Sequence, residues 1–87
     1  MIDEREQLER EVEIANDTRL LVSNPVFKAA MAVRKAQVFT DFTSSKADEI
    51  ERRNEAWRTM QNLLALEAYF TNALQSGKLA ELSLNGI

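Results

Sequence analysis

The chain has 87 residues, no His, no Cys, two Gly, one Pro and a formal net charge of −3. These counts exclude Cys/His zinc centres, disulfides, thiol nucleophiles and His-based triads. They also leave too little turn-forming material for a β-sandwich or barrel, so one small all-α domain over 1–87 is expected.

Hydrophobic residues make up 45 % of the chain, too many for a disordered polymer. No apolar run approaches the roughly 18–20 residues of a membrane span. Met1 is followed by Ile2, Asp3, Glu4 and Arg5 rather than by an apolar signal segment, so synthesis in a cytoplasm is expected. The charge is uneven. Residues 1–22 carry seven acids (Asp3, Glu4, Glu6, Glu9, Glu11, Glu13, Asp17) against Arg5, Arg10 and Arg19. Residues 23–43 carry Lys28, Arg34 and Lys35 against Asp41 alone. One mild basic patch on an acidic chain argues against non-specific DNA binding, which depends on phosphate neutralisation.

In chain order, Leu8, Val12, Ala15, Arg19 and Val22 recur at a 4-3-4-3 spacing, the seam of a narrow amphipathic helix. Acids at its start suit the positive end of the helix dipole, and the spacing predicts an acidic helix over about 3–22. Asn24-Pro25 is the clearest punctuation, with Asn24 suited to cap a helix that Pro25 opens. That second helix is expected over about 25–43. Phe27, Met31, Val38 and Phe42 share one face, and Val26, Ala30 and Val33 share its neighbour.

Thr43-Ser44-Ser45 is the second break. Ser45 and Asp48 have the spacing of a capping box, which predicts a third helix over about 46–76 ended by Gly77 as a left-handed C′ residue. The remaining tail, 77–87, reads as a short helix or an extended arm. A turn of about two residues makes helices two and three an antiparallel hairpin. Counted outward from it, Phe39 falls near Ile50, Met31 near Trp57 and Arg58, and Phe27 near Asn62. Leu63, Leu64, Leu66, Tyr69 and Phe70 occupy more than one helix face, so part of this surface needs a partner.

Carboxylates at 4, 11 and 13, and at 49, 51 and 55, are interleaved with Arg and read as solvated faces rather than metal or acid–base sites. Glu67, set among apolar residues, either reaches water or pairs with a base such as Lys28 or Arg34. Trp57, spaced from Ile50, Met60 and Leu64, reads as a core anchor or an interface hot spot. Arg52, Arg53 and Arg58 around it could touch phosphates, but neighbouring acids cancel their field. Ser76-Gly77-Lys78 holds a Gly-Lys pair without the rest of a phosphate loop.

Asn24-Pro25-Val26-Phe27, Ala56-Trp57-Arg58, Leu63-Leu64-Ala65-Leu66-Glu67 and Gln75-Ser76-Gly77-Lys78-Leu79-Ala80 together form a pattern over about residues 20–80. It resembles small helical proteins encoded among the head and packaging genes of tailed bacteriophages. The resemblance implies a virion or assembly context rather than a reaction, with synthesis in a host cytoplasm.

The expected function is therefore non-enzymatic: a phage structural or assembly protein that packs against itself or a larger virion component, without cofactor, metal or membrane. Expected partner-binding residues are Leu8, Val12, Ala15 and Val22 of the first helix, and Trp57, Leu66, Tyr69 and Phe70 of the third. Two alternatives remain. One is a DNA-packaging accessory, like a small terminase subunit, touching DNA through Lys28, Arg34 and Lys35. The other is an inhibitor of a host defence protein that uses the acid cluster of 1–17.

Overall fold

The computed structural model describes residues 3–86, which form three α-helices: α1 Glu4–Val22, α2 Pro25–Ser44 and α3 Ile50–Asn85. The fold class is all-α, as the periodicity predicts. Two compact units divide the chain. One brings α1 together with the part of α3 from Ala68 onward, and the other is Pro25–Glu67.

The α1 helix starts where its cap is. The Asp3 side chain accepts from the Glu6 N–H at 2.8 Å, and Glu4 and Glu6 occupy the first turn. The Arg5–Glu9 pair, one turn apart at 3.2 Å, lies on the exposed side. The seam differs from the expected one at a single position. Arg19 is exposed and donates to the Asn16 side chain, while Thr18 is buried. A buried Thr is tolerable here because its hydroxyl donates to the Ile14 carbonyl at 2.7 Å, within its own helix. The buried line is Ala15 and Thr18, continued by half-buried Leu8, Val12 and Val22.

That line meets α3 at a glycine. Gly77 does not end the helix. It lies inside α3, which continues to Asn85, and no described glycine has a positive φ. The expected tail from 77 onward is thus mostly helix. A Cβ placed on Gly77 would overlap the Ala15 Cβ and would sit 3.2 Å from the Glu11 carbonyl oxygen. The absent side chain permits close approach of two helices, and this outweighs the roughly 1 kcal/mol that glycine costs inside a helix. Ala80, almost wholly buried, lies on the same side of α3 one turn later.

In the other unit α2 and α3 form the expected antiparallel hairpin, with a later start for α3. The connection runs over Ser45–Glu49 rather than about two residues. Ser45 does not cap α3; its hydroxyl donates to the Phe42 carbonyl at 2.7 Å and closes α2. The reach-back comes from Glu49 instead of Asp48. Its carboxylate accepts the Lys46 N–H at 2.9 Å, and its carbonyl accepts the Arg53 N–H that opens α3. The longer connection shifts the pairing by about a turn and a half from the expected register. Val38 meets the Ala56 level, and Asp41 and Phe42 meet Arg52 and Arg53. The hairpin buries Val38 and Ala56, with Phe27, Met31, Lys35, Met60, Leu63 and Glu67 half-buried along the same two faces.

Candidate protein-binding surface

The hairpin end is fastened by charge. Arg52 reaches Glu49 at 3.4 Å and Asp41 at 3.7 Å, and donates to the Ser44 hydroxyl at 3.3 Å, so one guanidinium ties the end of α2 to the start of α3. The hydrogen bond from the Lys46 amide holds the Glu49 carboxyl below its usual range; desolvation opposes this, and Arg52 adds to it. Further along, Lys35 donates to both carboxylate oxygens of Glu67 at 3.1 Å. Glu67 therefore pairs with a base on the second helix, as one sequence reading held, but the base is Lys35 rather than Lys28 or Arg34. Lys35 lies two turns after Lys28 on the face that contains Met31 and Val38, and that face is turned to α3.

One side of the hairpin is apolar. Phe39, Phe42, Trp57 and Met60 surround a cleft of about 200 Å³ floored by Val38 and Ala56. A second hollow continues from Phe42 and Trp57 to Ile50, Arg53 and Asn54. Trp57 is 57 % exposed, Phe39 63 %, Ile50 63 % and Phe42 37 %. The Arg53 guanidinium lies 5.5 Å from the centre of the Phe42 ring and screens part of that ring. Trp57 is thus not an anchor of the hairpin core; Ala56 beside it holds that place. One residue of helix rotation, about 100°, separates the two roles, and the sequence pattern does not resolve it.

The other expected partner-binding residues fall into two groups. Leu66 and Tyr69 are exposed, and Phe70 is half-buried with its ring edge-on to Tyr69 at 5.9 Å. On α1, Leu8, Val12 and Val22 are half-buried, while Ala15 is 2 % exposed and covered at Gly77 within the chain. Ala15 is consequently out of reach of any partner while that unit is intact. Thr18 and Gly77, which complete the seam, are not legible as such in the sequence because neither is hydrophobic; the one signal is that Thr18 lies three residues after Ala15 and four before Val22.

Of the candidate nucleic-acid contacts, Lys28 and Arg34 are exposed, with Arg34 donating to the Gln37 side chain at 3.5 Å, and Lys35 is held by Glu67. Among the described residues no group of three or more acidic side chains is placed to hold a metal ion, and no helix is long and apolar enough to cross a membrane. Comparison with protein-family models, with curated proteins and with solved structures gives no match.

Proposed function

We propose that the chain is a non-enzymatic assembly protein that works by packing exposed apolar helix surface against a protein partner. The observation that carries this reading is the open apolar cleft at Phe39, Phe42, Trp57 and Met60, on a hairpin whose own buried core is only Val38 and Ala56. Single exposed apolar residues are ordinary on protein surfaces, but contiguous aromatic patches mark interaction sites. Trp at the centre of such a patch is the residue type that most often dominates binding energy.

The resemblance to head and packaging proteins of tailed phages supplies the setting: a virion, or its assembly, in an infected host. The test is mass spectrometry of purified particles, with wild-type chain and with Trp57→Ala. The proposal expects the wild-type chain in or on particles or assembly intermediates, and the variant depleted. The DNA-packaging alternative is weakened by the pairing of Lys35 with Glu67, which leaves Lys28 and Arg34 to meet phosphates. Salt-dependent DNA binding would restore that alternative.

A further inference from the structure

The exposed side of α3 in the hairpin unit has a repeat that a single chain does not use. Ile50, Trp57 and Leu64 lie seven residues apart, all exposed, with Asn54 and Gln61 between them. This is the spacing of a coiled-coil seam with two polar positions set into it, the kind of position that specifies register. Glu51 and Arg58, also seven apart and both exposed, flank the line on one side. Among the described residues neither is taken up in an ion pair, and the Arg58 side chain donates only to the Asn54 carbonyl of its own helix at 3.3 Å.

We propose that a second copy of this chain covers this face, with the two α3 helices antiparallel about a two-fold axis. In that arrangement Trp57 of each copy packs at the level of Asn54 of the other. The same register sets Glu51 of each copy opposite Arg58 of the other, giving two identical ion pairs from one symmetry operation. A parallel pair would instead bring Arg53 of one copy opposite Arg58 of the other, a like-charge contact. The charges therefore select both the partner and its direction.

The area agrees. With about 150–250 Å² for each aromatic side chain, the exposed parts of Trp57, Phe39 and Phe42 amount to roughly 300 Å², and Ile50 adds on the order of 100 Å². Two copies would then cover roughly 800 Å² of apolar surface, which with an ordinary polar rim gives about 1,400 Å² in total, within the range of stable specific interfaces.

This inference rests on the assembly reading and specifies its surface. Sedimentation of the full chain, together with Trp57 fluorescence on dilution, tests it in four proteins: wild type, Glu51→Arg, Arg58→Glu and the double swap. The substituted positions are exposed, and circular dichroism checks that helicity is kept. The expected result is a wild-type dimer whose Trp57 emission moves to longer wavelength on dissociation. Each single swap should raise the dissociation constant about tenfold, and the double swap should return it to within about threefold of wild type. A wild-type chain that stays monomeric up to about 100 µM overturns the proposal. So does a dimer that the single swaps leave unchanged, or one that the double swap fails to restore. Particle incorporation separates the two readings. A monomeric chain that still enters particles defeats the pairing and leaves the assembly role standing, whereas a rescued dimer absent from particles does the reverse.

Discussion

Gly77 is the residue at which a local rule and a tertiary demand oppose each other. In an isolated helix Gly77→Ala would gain about 1 kcal/mol. Here the added methyl meets Ala15, so the variant should lose about 1–3 kcal/mol, the usual cost of overpacking. Ala15→Gly combined with Gly77→Ala moves the methyl to the other helix and should recover much of that loss. Chemical denaturation of the wild type and the two variants gives the comparison, and a stabilised Gly77→Ala would mean that the helices do not approach closely. Glu49 makes a prediction about acid. Its carboxyl is held below the usual range by the Lys46 amide, so its contribution to the hairpin end is complete above the unfolded carboxylate value and fades as pH falls through the lowered folded value. Carbon NMR of the Glu49 carboxyl should show titration below the ordinary glutamate range. Glu49→Gln should remove that part of the acid sensitivity.

At the scale of the element, α3 is more than one arm of a hairpin. From Ala68 onward it is the partner of α1. Cutting the chain after Ser76 removes Gly77, which packs against Ala15, together with buried Ala80 and half-buried Leu84. Short helices are marginal alone, so the truncated chain should lose helicity from α1 as well as from the deleted segment. Circular dichroism should therefore show a loss larger than the removed residues account for. A loss equal to the deleted turns alone would mean that α1 stands by itself. Trp57→Ala belongs to this scale too. Because Trp57 is more than half exposed, the hairpin should lose less than about 2 kcal/mol, against roughly 3–5 for a fully buried Trp. Near-native melting of the dilute variant, with loss of association, is the expected pattern.

At the scale of the whole molecule, the buried apolar residues among those described are Ala15, Val38, Ala56 and Ala80, and no large side chain among them is completely buried. So small a core supplies little of the free energy that a domain needs against chain entropy. Association should supply part of it, and the melting temperature should rise with protein concentration, as mass action requires when only the folded chain associates. A melting temperature independent of concentration from about 1 to 100 µM would show that a single chain is stable without its mate.

The helical class, the break at Asn24-Pro25, the antiparallel hairpin and the excess of apolar surface on α3 were all determined by the sequence itself. They depend on local signals: a 3.6-residue period, a proline that cannot donate, and a connection too short to cross over. Tertiary structure alone decided the rest. Gly77 reads as a helix end until Ala15 is brought against it. Glu67 either reaches water or finds a base on α2 until the face of α2 that meets α3 brings Lys35 to it. Trp57 reads as core anchor or interface residue until packing against α2 turns Ala56, not Trp57, inward. In each case the local pattern leaves two answers nearly equal, and a contact between residues distant in sequence separates them, because close packing tolerates neither an extra methyl nor an unpaired half-buried charge.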